Sequence, residues 1–111
     1  MSVEINVTGE VVTAYLYGEL DHHTAKEMRE SIDLAVELNM PTLLVLDFKN
    51  ITFMDSSGIG LVMGRYRNLL KNGAELHIVN APPNIYKVMR LAGLEKLAKL
   101  EKVGNENGNN K

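Results

Sequence analysis

The hydrophobic period of this chain switches repeatedly between two residues and about 3.6, and that switching leaves few folds open. Residues 3–8, VEINVT, and 11–18, VVTAYLYG, alternate apolar and polar side chains, with Gly9-Glu10 between them as a hairpin turn. From Asp21 the period lengthens. Ala25, Met28, Ile32, Ala35 and Val36 fall on one helical face, with Lys26, Glu27, Arg29, Glu30 and Asp33 between them, and Asn39-Met40-Pro41 stops the run after about Leu38. TLLVLDF, residues 42–48, is a continuous apolar run of strand length, suited to a central strand buried on both faces. A second helical stripe follows Ser57, formed by Ile59, Val62, Met63, Tyr66, Leu69 and Leu70, and Asn72-Gly73 ends it. AELHIVN, residues 74–80, is the next strand. Pro82-Pro83 opens a third helix with Ile85, Val88, Met89 and Ala92 facing inward and Gly93 closing it. LEKLAKLEKV, residues 94–103, fits either a short helix or a turn with an edge strand.

The order ββαβαβα predicts an α/β domain: parallel strands joined by helical crossovers, extended by one antiparallel hairpin strand into a mixed sheet of four or five strands. One domain is expected over residues 1–103. The remainder, GNENGNNK at 104–111, is too polar and glycine-rich to pack and is expected to be a disordered tail.

Composition narrows the chemistry. The chain has no cysteine, which removes disulfides, thiolate metal sites and cysteine nucleophiles together. Its net charge of −2, with both signs interspersed, argues against a nucleic-acid or anionic-membrane surface. No apolar run reaches the ~18–20 residues of a membrane span. The start, MSVEINVTGE, lacks the basic and apolar regions of a signal peptide, so a cytoplasmic location is expected.

An α/β sheet sets its functional loops at the carboxyl ends of its strands. GELDHHT, residues 18–24, follows the second strand and FMDSSGIG, residues 53–60, follows the third; if those strands are neighbours, the two segments share one edge. The catalytic readings fail. A serine-hydrolase elbow needs glycine two residues either side of the serine, which neither Ser56 nor Ser57 has. A Walker loop needs a lysine that is missing here. Gly58, Gly60 and Gly64 miss the dinucleotide spacing by one residue, and neutral Asn80 stands near where an acid should hold the ribose. His22-His23 are adjacent, whereas useful ligand pairs on a helix are three or four apart, so no metal site is expected. Helix capping by Asp55, Ser56 or Ser57 explains part of FMDSSGIG, but one cap suffices and two serines are present. A serine at a helix N-terminus is also well placed to carry a phosphate, because the dipole and free N–H groups favour a dianion there. That phosphate would add roughly −1.5 to −2 charge beside Asp21 and Asp55, and no arginine cluster is visible in the loop to absorb it.

GELDHHTA (18–25) followed by FMDSSGIGLVMGRY (53–66) resembles the STAS domain family, of the anti-sigma factor antagonist type, and most of all the antagonists of the anti-sigma F factor. The resemblance runs from the first hairpin to about Val103. It implies the STAS fold and a protein that is no enzyme and needs no cofactor. In such proteins the first serine of the D-S-S-G motif, here Ser56, is phosphorylated by an anti-sigma factor that is itself a serine kinase with bound nucleotide. The unphosphorylated form binds that kinase and releases the sporulation sigma factor F; the phosphorylated form does not bind, and a PP2C-type phosphatase resets it. The resemblance assigns Asp21, His23, Asp55, Ser57, Gly58, Ile59 and Gly60 to partner binding, with Gly58 to Gly60 as a docking ridge, and implies a monomer when free. Family members finish with a further helix where this chain has an Asn/Gly-rich stretch, which leaves the last element open. Two rivals stand beside this reading: an antagonist for a stress-response sigma factor, against which GELDHHT weighs, and a small nucleotide-binding or hydrolytic α/β protein using the same loop.

Overall fold

The computed structural model describes residues 2–104. Val3–Thr8 (β1) and Val11–Leu20 (β2) form the expected hairpin, paired antiparallel from Val3↔Leu16 to Thr8↔Val11. Gly9 turns it at φ 59°, a left-handed conformation that costs glycine nothing. His22–Asn39 (α1), Leu43–Met54 (β3), Ser56–Leu70 (α2), Glu75–Ala81 (β4), Pro83–Leu91 (α3) and Lys99–Lys102 (β5) follow. The strands lie in the order β1-β2-β3-β4-β5, parallel from β2 onward. This is the mixed α/β sheet that the alternation of periods predicts, with five strands.

Register explains where the core sits. Val12, Leu44 and Leu76 are aligned across β2, β3 and β4, as are Ala14, Leu46 and Ile78, and all six are buried. They form one cluster with Met28 and Ile32 of α1 and Leu61, Val62 and Leu69 of α2. The opposite sheet face, carrying Thr13, Tyr15, Val45, Asp47 and His77, is only half-buried. The apolar run of β3 is therefore not buried on both faces: Leu44, Leu46 and Phe48 are inside, while Leu43 and Val45 are half-covered.

β3 is also longer than its apolar run. It continues through Lys49-Asn50 to Met54, following β2 until Leu20 stands opposite Met54. Two irregularities in the pairing, between Tyr15 and Tyr17 and between Gly18 and Glu19, accompany that extension. Gly18 has φ 87°, which an ordinary side chain would resist at such a bulge.

Smaller corrections follow from helix rotation. Leu70 is exposed although its stripe points inward, and α3 buries only Ile85 and Met89, leaving Val88 and Ala92 outside. Arg65 of α2 is buried instead, in a position that apolar periodicity cannot signal. Residues 94–103 use both options open to them: a 3₁₀ turn at Leu94–Lys96, then β5. The expected disordered tail falls on residues 105–111, outside the described residues, apart from Gly104. Among the described residues no helix is long and apolar enough to cross a membrane.

Candidate functional site

Parallel pairing of β2 with β3 brings the two singled-out segments together. Leu20 stands opposite Met54, and the Asp55 N–H donates to the Leu20 carbonyl at 3.3 Å. Each strand is followed by one aspartate and then a helix, so α1 and α2 start side by side on one edge of the sheet.

Both aspartates are N-caps. Asp21 Oδ1 accepts from the backbone N–H groups of His23 (3.0 Å) and Thr24 (3.1 Å), and Thr24 Oγ1 accepts from the Asp21 N–H at 2.9 Å, a reciprocal box. The Thr24 N–H is the main reason the Asp21 carboxyl lies below the usual carboxylate range; the His23 N–H and the Thr24 hydroxyl add to it, against a smaller opposing effect of desolvation. Asp55 does the same for α2 with one bond, accepting from the Ser57 N–H at 2.8 Å.

Capping by Asp55 decides what the serines are not. Ser56 and Ser57 occupy the first two positions of α2 and neither is its cap. Ser56 is exposed and Ser57 half-buried. Among the described residues the Ser56 hydroxyl has no hydrogen-bond partner, so it is reachable and unused. His23 is exposed on the first turn of α1, its ring edge-on to His22 with centroids 5.7 Å apart.

The three residues after the serines divide. Gly60 is exposed and Ile59 half-buried, but Gly58 is buried within the chain. A Cβ at Gly58 would run into the Met54 side chain and lie 3.3 Å from Leu20 Cδ1, whereas Gly60 and Gly64 have nothing within 4 Å. Close packing therefore depends on Gly58, while Gly60 and Gly64 border open space.

That space is a groove of about 640 Å³ between α1 and α2, bordered by His22, His23, Lys26, Arg29, Ser57 and Arg65 among others. The sequence reading of the loop saw no basic cluster there. Lys26 and Arg29, three apart on α1, were legible as a pair on one helix face. Arg65, from another helix, was not. Its Nε lies 2.8 Å from Asp33 Oδ1, close enough for an ion pair, yet off the N–H direction, so charge is compensated while the N–H stays without an aligned acceptor. Burial lowers the Arg65 pKa most; Asp33 opposes this, and the Arg29 and Arg67 charges reinforce it. Among the described residues no group of three or more His, Cys, Asp or Glu could hold a metal ion.

Comparison with known proteins agrees with this architecture. An anti-sigma F factor antagonist of Lysinibacillus sphaericus is 39% identical over 88 residues, covering 79% of this chain and 75% of the relative. Another, of Paenibacillus polymyxa, is 34% identical over 97 residues, covering 87% and 83%. The solved structure of the anti-sigma factor antagonist SpoIIAA in its unphosphorylated form superposes with a TM-score of 0.78 at 35% identity, covering 89% of this chain and 87% of that one. The structure of the Bacillus cell fate determinant SpoIIAA in the phosphorylated form gives 0.71 at 35% identity, covering 89% and 90%. The STAS domain profile matches residues 2–106, and the chain belongs to the STAS domain family.

Proposed function

We propose that this chain is an anti-sigma factor antagonist whose binding is switched by phosphorylation of Ser56. One observation carries the reading. Ser56 is an exposed serine at the first position of α2, with its hydroxyl unused because Asp55 already caps the helix. The unphosphorylated chain binds an anti-sigma factor that is a nucleotide-bound serine kinase, and so frees a sigma factor. Asp21, His23, Asp55, Ser57, Ile59 and Gly60 form the contact edge. Gly58 contributes from beneath by holding α2 close to Met54. A phosphate on Ser56 places a dianion beside Asp21 and Asp55, and desolvating that dianion in a tight interface costs several kcal/mol. A PP2C-type phosphatase returns the chain to its binding form. The protein acts in the cytoplasm as a free monomer and catalyses nothing itself.

Relatives named anti-sigma F factor antagonists are 34% and 39% identical and those named anti-sigma-B factor antagonists 25–27%, which supports sigma factor F of sporulation as the regulated factor over a stress-response sigma factor. That SpoIIAA has been solved in both phosphorylated and unphosphorylated forms supports a switch of this kind. The test is mass-spectrometric mapping after incubation with the anti-sigma kinase and ATP. Phosphate on Ser56, absent in Ser56→Ala, is expected; phosphate on Ser57 would overturn the assignment.

A further inference from the structure

The α1–α2 groove differs in charge from the chain as a whole. The chain as a whole carries −2, yet Lys26, Arg29 and Arg65 line this groove and, among the described residues, no carboxylate does. Asp33, the acid paired with Arg65 among the described residues, lines a second groove that Arg65 also borders. Arg65 is 7% exposed, so its guanidinium is held in place, with an Nε that lacks an aligned acceptor. Nothing lies within 4 Å of where a Cβ would stand at Gly60 or Gly64, so the groove is open between these cations.

We infer that this groove is a phosphoryl-anion site, taking either a free phosphate group or the phosphate carried on Ser56. Arg29 and Lys26 supply charge from α1, and Arg65 supplies a fixed planar donor from α2. Ser57, at the groove's upper end, follows directly on Ser56 in the first turn of α2. Filled by the chain's own phosphate, the site would hold the modified serine against the protein and away from a partner. The free-anion case rests on the groove alone. The second case also rests on Ser56 being the phosphorylated residue.

The experiment is an amide chemical-shift titration of the full unphosphorylated chain with inorganic phosphate, against chloride at equal ionic strength. Saturable shifts are expected at His22, His23, Ser57, Gly60 and Gly64. The double variant Lys26→Gln/Arg29→Gln alters two exposed side chains, leaves the core intact, and should weaken binding by about tenfold or more. Shifts that do not saturate, that chloride reproduces, or that survive unchanged in the double variant would overturn the site. A second arm uses chain phosphorylated by the kinase. If the same amides have already moved and added phosphate no longer binds, the Ser56 phosphate is the occupant. If added phosphate binds as before, the site serves a free anion. Failure of phosphorylation at Ser56 would remove the second arm and leave the first standing.

Discussion

Two glycines separated by one residue should respond oppositely to the same methyl group. At Gly58 an added Cβ overlaps the Cγ and Sδ atoms of Met54 and crowds Leu20 Cδ1 at 3.3 Å. Met54 is half-buried at the end of β3 and Leu20 is fully buried, so relieving the overlap moves the Met54 side chain out of its packing at the strand end that leads into the serines. Overpacking of this kind costs about 1–3 kcal/mol. Alanine recovers about 1 kcal/mol of helix propensity, which leaves Gly58→Ala destabilised by about 1 kcal/mol. At Gly60 no atom lies within 4 Å, so Gly60→Ala keeps only the favourable part and should gain about 0.5–1 kcal/mol. The two variants then differ by roughly 2 kcal/mol, or about 8 °C in Tm at about 4 °C per kcal/mol for a domain of this size. Urea unfolding with an unchanged slope measures the difference directly. In a Met54→Ala background the Gly58→Ala penalty should largely vanish, because the overlapping atoms are gone. Gly58→Ala at or above parental stability, or Gly60→Ala losing as much, would refute the packing argument.

The remaining predictions concern the same edge and its support. Asp21 has a folded pKa below its unfolded value, so its contribution is full above the ordinary carboxylate range and is lost as pH falls through the folded value. Asp21→Ala should therefore lower stability at neutral pH and flatten the acid limb of a stability-against-pH curve, while Asp21→Asn keeps the cap at neutral pH but flattens the same limb. Asp33→Ala strands a guanidinium that is 7% exposed and should cost about 1–3 kcal/mol in urea unfolding, discounted because Asp33 itself is partly solvated; Arg65→Met in the same background should restore most of it. Ser56→Asp should weaken binding to the anti-sigma factor, by isothermal titration, yet less than phosphate does, because a carboxylate carries a single charge.

The sequence and the structure part company in an instructive pattern. Elements set by periodicity were readable: the hairpin at Gly9, the α1 face of Met28 and Ile32, and the parallel strands that put Asp21 and Asp55 on one edge. The end of β3 was not, because Lys49-Asn50 break the apolar run while backbone pairing with β2 carries the strand on to Met54. Glycine spacing does not show which of Gly58, Gly60 and Gly64 is needed for packing, because that depends on what lies opposite, and of the three only Gly58 faces a side chain. The serines looked like competing caps until Asp55 was seen to occupy that role. Arg65 stayed hidden because its partner, Asp33, is on another helix; a contact 32 positions away along the chain leaves no local pattern.

The central claim is that a phosphate on Ser56 decides who may bind this edge. Its most direct test is the affinity of the anti-sigma kinase for the unphosphorylated chain and for the chain phosphorylated only at Ser56, both measured with the same bound nucleotide. A loss of about a hundredfold or more is expected, since the phosphate adds a dianion to an edge that already holds Asp21 and Asp55 and a tight interface would have to desolvate it. Equal affinities for the two forms would contradict the account.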